Sequence, residues 1–174
     1  VLDAADLAGY HARIAAPTAF DYRDVRIQSA PGPTAAPTLK EVCRRLSDQP
    51  FAGRLDGTAF ARYAEALHAA YAERLETLGD VEAKQTTSTT HLLMNNGMMW
   101  FDPRPGGPNS VAPSKRPLCN MLPLVITRGG RPWAALGASG GRRILPAVFQ
   151  LASFMIDFGL DLRTAAHQPR IDVS

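Results

Sequence analysis

The chain has 174 residues, 45% of them hydrophobic and 20% charged, with a net charge of +3. That is the length and balance of one globular domain able to bury a real core. Its arginines stand singly or in pairs without aromatic interleaving, which argues against a nucleic-acid-binding surface despite the basic balance. Two cysteines, Cys43 and Cys119, make no disulfide framework, and the histidines at positions 11, 68, 91 and 167 lack metal-ligand spacing. No apolar run reaches the length of a membrane span.

In chain order, Asp3 can cap a helix from Ala4 to Ile14, stopped by Pro17. Thr18 to Tyr22 and Val25 to Ser29 read as strands joined through Arg23-Asp24 as a hairpin. The prolines of PGPTAAPT, Pro31 to Thr38, exclude regular structure, after which Thr38 caps a helix through Leu46. The longest periodic segment follows Thr58, from Ala59 to Leu78. Phe60, Tyr63, Ala64, Leu67, Tyr71, Leu75 and Leu78 repeat there at three- and four-residue steps, and Gly79 ends it. This helix is expected to pack the core, with no chemistry assigned to His68 or its tyrosines.

Lys84 to Leu93, KQTTSTTHLL, concentrates hydroxyls before His91. A loop or strand start accounts for them, and so does a nucleophile. Farther on, Leu124 to Thr127 and Trp133 to Leu136 flank RGGRP, a glycine hairpin. GASGG comes next, and Ile144 to Phe158 is apolar on nearly all sides, a buried helix stopped at Gly159.

A glycine turn entering a helix offers free backbone N–H groups to an anion. GASGGRR lacks the Lys-Ser/Thr of a P-loop and the GxGxxG spacing of a dinucleotide fold. An oxyanion hole for acyl transfer remains, beside a plain tight turn, and spacing alone leaves both open. No GxSxG elbow supplies a serine for such a hole. A threonine can take that place if a freed α-amine, with a pKa of about 7.7–8.0, serves as its base.

Five stretches now carry a family resemblance: TTH at Thr89 to His91, LLMNNGMMWFDPRPGGPN at Leu92 to Asn109, APSKRPLCNMLP at Ala112 to Pro123, GASGGRRI at Gly137 to Ile144, and DFGLDLRTAAHQPRI in the tail. In order and spacing they resemble the γ-glutamyltransferases and glutathione hydrolases of the N-terminal nucleophile hydrolase superfamily, in their divergent glutathione-hydrolase-like branch. The resemblance implies an α+β, four-layer αββα sandwich. It also implies a precursor that cleaves itself between Ser88 and Thr89. Residues 1–88 would then close a large subunit and 89–174 form the small one, the two staying paired in one domain.

By the same resemblance Thr89 is the nucleophile and its amine the base, Gly140 and Gly141 hold the oxyanion, and no metal or cofactor is needed. The substrate would be a small γ-glutamyl amide such as glutathione, with no nucleic-acid or membrane partner. Where the γ-glutamyl enzymes carry glutamine and an acid for the substrate α-amine, this sequence has Gly97 and Trp100. Where they carry a serine pair for its α-carboxylate, it has Cys119 and Asn120. Trp100, Cys119 and Asn120 are thus the expected substrate contacts, and Trp100 suits a less polar acyl group, as in cephalosporin acylases.

The family places a long paired-strand segment after its TTH, whereas here His91 joins Leu92 directly. The sequence is therefore expected to be part of a longer protein, or else an inactive truncated member with a binding or structural role. Free cysteines favour a reducing, cytoplasmic setting.

Overall fold

The computed structural model describes residues 4–9, 11, 14–79, 97–113 and 115–173. Two antiparallel hairpins build one sheet. β1 (Thr18–Tyr22) pairs with β2 (Val25–Ser29), and β3 (Leu124–Arg128) pairs with β4 (Arg131–Leu136). β2 and β3 zip the hairpins together, Val25 opposite Arg128 and Ser29 opposite Leu124, in the order β1-β2-β3-β4. The sheet thus joins the half before the hydroxyl-rich segment to the half after it.

Alternation decides which face is buried. Phe20, Tyr22, Val25, Ile27, Leu124 and Ile126 point into the core, while Asp21, Arg26 and Val125 face outward and are exposed. Four helices complete the core after the short α1 (Ala4–Gly9): α2 (Ala36–Ser47), α3 (Gly57–Thr77), α4 (Ile144–Ile156) and α5 (Leu162–His167). The described residues therefore supply one helix layer and one sheet layer of the α+β sandwich, with the outer sheet face open.

Both hairpins form where expected. Gly129 and Gly130 both take positive φ, 57° and 76°, which a two-residue turn matched to strand twist requires. Arg23 holds the other turn at φ 54°. Its guanidinium donates to the carbonyls of Leu46, Ser47 and Gln49 at 2.9, 2.6 and 3.1 Å, closing the C-terminal end of α2. It also meets Asp157 at 2.9 Å.

Several boundaries differ from expectation. α1 ends at Gly9 rather than Ile14, at a residue with poor helix propensity. α2 begins at Ala36, two residues before Thr38, because Pro37 fits the first turn, where no N–H is needed. Thr38 is therefore a buried helical residue and not the cap. In α3 the cap is Asp56, accepting from Thr58 N and Ala59 N at 3.0 and 3.1 Å. Its buried stripe is Ala59, Tyr63, Ala66, Leu67, Ala70 and Arg74, so Leu75, counted on the apolar face, is 63% exposed.

α4 is buried around most of its surface, as its composition demands. It ends at Ile156, and beyond it Gly159 at φ 66° turns the chain so that Leu160 N donates to Phe154 O at 3.1 Å.

The cysteines differ in access. Cys43 is buried and burial pushes its thiol pKa up, whereas Cys119 is half-buried. Mild alkylation of the native protein is expected to label Cys119 and spare Cys43 until denaturant is added. Mapping the adducts by mass spectrometry checks this, and native labelling of Cys43 would contradict the packing of α2.

Candidate active site

The glycine turn after β4 leads directly into α4. Gly140 has φ 135° and ψ 23°, Gly141 has φ 63°, and a single 3-10 turn, Gly141–Arg143, precedes Ile144. Such φ values are open to glycine and strained for other residues. The Tyr71 hydroxyl of α3 donates to Arg142 O at 3.0 Å and so fixes this turn from the side. Burial raises the Tyr71 phenol pKa to about 12, so it remains a donor at neutral pH.

Trp100 closes a second 3-10 turn, Gly97–Trp100. Its Cη2 lies 3.6 Å from where a Cβ on Gly141 would sit, so the indole packs on the glycine turn. Asn109 sets the indole's backbone: its Nδ2 donates to Trp100 O at 2.7 Å, and its Oδ1 accepts from Leu118 N at 2.9 Å. One buried amide thus fastens the Trp100 turn to the segment carrying Cys119 and Asn120.

That segment is held from its other side too. Cys119 N donates to Pro33 O at 2.9 Å, and Cys119 O accepts from Arg74 Nη2 at 2.7 Å. At the end of α3, a Cβ on Gly79 would lie 2.0 Å from Pro108 O, so only glycine allows this approach of backbone to backbone.

Between α3 and these segments lies a cavity of ≈ 350 Å³. Trp100, Asn109, Leu118 and Asn120 line it from the loop side, and His68, Tyr71, Arg74 and Leu75 from α3. Arg142 and Val173 complete its rim. Arg74 is buried, and desolvation lowers its pKa to about 10, which leaves it cationic at neutral pH.

Of the residues singled out in the sequence, Trp100 and Asn120 meet in this cavity, and Gly141 packs against Trp100. Gly140 is the adjoining residue of the turn. Cys119 contributes backbone bonds to the wall and is not among the residues lining the cavity. Ser88 and Thr89 lie outside the described residues. Arg74 and Asn109 escaped the sequence reading, and Tyr71 entered it only as part of the apolar face of α3. For Arg74 a signal existed: a cation recurring on the small-residue stripe of α3, four residues after Ala70.

The sequence profile of the gamma-glutamyltranspeptidase family matches residues 1–97 and 89–173, in two pieces that overlap across the hydroxyl-rich segment. The chain is 38% identical over 80 residues to a glutathione hydrolase proenzyme of Bacillus subtilis (strain 168), covering 46% of this chain and 14% of that protein. It is 39% identical over 85 residues to the acylase ACY 1 proenzyme of Pseudomonas sp. (strain V22), covering 49% of this chain and 15% of that protein. The matched stretches thus span about a seventh of these relatives' length.

In three dimensions the chain is similar to a cephalosporin acylase from Bacillus halodurans, with a TM-score of 0.78 at 18% identity over 90% of this chain and 40% of that one. This likeness is one of fold, an α+β architecture shared with that acylase. The two-part profile match covers nearly the whole sequence, and on that ground the chain belongs to the gamma-glutamyltranspeptidase family.

Proposed function

We propose that the chain is the junction region of a self-processing amide hydrolase or acyltransferase whose nucleophile is Thr89. Cleavage of the Ser88–Thr89 peptide bond frees the Thr89 α-amine, which then takes the proton of its own Oγ. The alkoxide adds to the substrate's amide carbonyl, and the N–H groups of Gly140 and Gly141 hold the resulting oxyanion. Collapse breaks the C–N bond, the α-ammonium returns the proton to the leaving amine, and an acyl ester stays on Thr89. Water or an acceptor amine releases the acyl group by the reverse sequence.

The observation that carries this reading is the packing of Trp100 on Gly141 at the edge of the cavity that Asn120 lines. It puts a candidate acyl-recognition wall beside the candidate oxyanion turn. Residues 1–88 would be the closing part of the large subunit and 89–174 the small one. The β2–β3 pairing and the shared core support their staying together after the cut.

The substrate would be a small amide, γ-glutamyl as in the relatives named glutathione hydrolase, or with a less polar acyl group as in those named acylase. The direct junction of His91 to Leu92 and the two-piece profile match favour a second reading, a truncated member kept as a binding or structural unit.

Intact mass separates the readings. A processed enzyme gives two fragments meeting at Ser88/Thr89, and Thr89→Ala gives one uncut chain with no turnover of a γ-glutamyl anilide or a glutaryl amide. An uncut wild-type chain, or a Thr89→Ala variant that still turns over, refutes the nucleophile assignment.

A further inference from the structure

Gln150 is a polar residue that the apolar character of α4 leaves unexplained. It is 0% exposed, in the middle of ILPAVFQLASFMI. Its amide bonds the tail of the chain as well as its own helix. Nε2 donates to Ile171 O and to Pro146 O, both at 2.8 Å, and Oε1 accepts from Ile171 N at 2.9 Å. The side chain thus pairs with both backbone groups of Ile171, as a neighbouring strand would, and only one orientation of the amide permits this.

Fixing Ile171 places the two residues after it. Asp172 Oδ2 meets Arg143 Nε at 3.0 Å, and Val173 stands at the rim of the cavity beside Trp100. Arg143 closes the 3-10 turn that begins at Gly141, and its N–H donates to Gly140 O at 3.2 Å. The tail therefore holds Arg143, while Tyr71 of α3 holds the preceding residue, Arg142.

Consecutive glycines have the most backbone freedom to lose, so the direction of their N–H groups needs support from outside the turn. The Arg143–Asp172 pair is a weak support alone, because the Arg143 side chain is 80% exposed and exposed ion pairs contribute little. The buried amide changes this. With Ile171 locked to Gln150, Asp172 gives up little further freedom on meeting Arg143. Opening the lock is costly, since Ile171 is half-buried and both its backbone groups would lose their partner.

We propose that Gln150 is a positioning residue of the glycine turn: through Ile171 and Asp172 it makes the tail a brace that keeps Arg143, and with it the Gly140 and Gly141 N–H groups, in place. This deepens the amide-hydrolase reading and rests on it for the catalytic consequence. The brace itself needs no cleaved Thr89.

The test reads backbone amide order parameters of Gly140, Gly141 and Ile171 by NMR relaxation of the purified chain. In the wild type all three are expected near the rigid value of about 0.85. Gln150→Met, which keeps the length and apolar packing without the amide, should drop all three below about 0.6. Asp172→Asn keeps the lock and removes the ion pair, and should loosen the glycines while Ile171 stays rigid. The double variant should leave the glycines no looser than Gln150→Met alone, because two links in series do not add, whereas a general loosening of α4 would. On an amide the chain turns over, Gln150→Met should lower kcat by up to about 10²-fold with KM nearly unchanged.

Circular dichroism checks folding, and where Gln150→Met does not fold, Asp172→Asn decides. Flexible glycines in the wild type, glycines still rigid in folded Gln150→Met or in Asp172→Asn, additive losses in the double variant, or a loss confined to KM overturns the proposal. Braced glycines in a chain that never cleaves refute the nucleophile and leave Gln150 standing. Turnover that requires Thr89, with glycines indifferent to Gln150, does the reverse.

Discussion

On the proposed function, in which Gly140 holds the oxyanion, Gly140→Ala is expected to lower kcat by about 10²–10³-fold with KM nearly unchanged, the loss associated with one misplaced oxyanion donor. A Cβ at this position meets nothing within 4 Å, so no clash is involved. The effect comes from the backbone: φ 135° with ψ 23° lies where residues bearing a Cβ are strained. Alanine relaxes by rotating the flanking peptides, and the N–H groups at the head of the turn swing off the developing charge. Gly141→Ala should cost less, because φ 63° lies in the left-handed well and its Cβ would make an ordinary 3.6 Å contact with Trp100. Steady-state kinetics on an amide the wild-type chain turns over, with circular dichroism as a folding control, measures both. Full activity in Gly140→Ala would remove this turn from the mechanism.

Asp157→Ala should destabilise the chain by about 1–3 kcal/mol, the usual cost of leaving buried donors without their acceptor. Asp157 sits just past α4, and its carboxylate gathers three donors from separate parts of the fold. Tyr22 OH reaches it at 2.9 Å, Arg23 Nε at 2.9 Å, and Ser153 Oγ through a short bond. Ser153 in turn bonds Tyr63 OH at 2.6 Å in the core, so one carboxylate ties the first hairpin, α3 and α4 together. Burial first, and the Asp157 charge second, push the Tyr22 phenol pKa well up, so the hydroxyl stays a donor across the accessible pH range. Without Asp157, Arg23 keeps only its grip on the end of α2, and two buried hydroxyls lose their shared acceptor. Urea unfolding followed by circular dichroism reads the difference, and a midpoint unchanged at constant slope would show that the network contributes nothing.

The Asp157 network depends on side chains that local patterns describe poorly. The hairpin at Arg23-Asp24, the glycine hairpin at Gly129-Gly130 and the buried helix before Gly159 were legible because each rests on a local rule: alternation, a positive-φ requirement, or unbroken apolarity. The glycine turn and Trp100 could be named from the resemblance, since the spacing of those motifs is itself a local property. The face that α3 buries was not legible. Tyr71 and Leu75 fit the apolar repeat, but the buried stripe runs through Ala66, Ala70 and Arg74 instead.

The sequence by itself determined the family, the order of the elements and which turns must be glycine, because covalent connectivity and local backbone sterics decide those. Only the tertiary structure decided that Trp100 packs on Gly141, that Asn109 joins two loop segments, and that Arg74 lends its charge to the cavity they enclose. The reason is physical. Burial of a charge and the convergence of side chains far apart in sequence are properties of packing in space, and no window along the chain contains them.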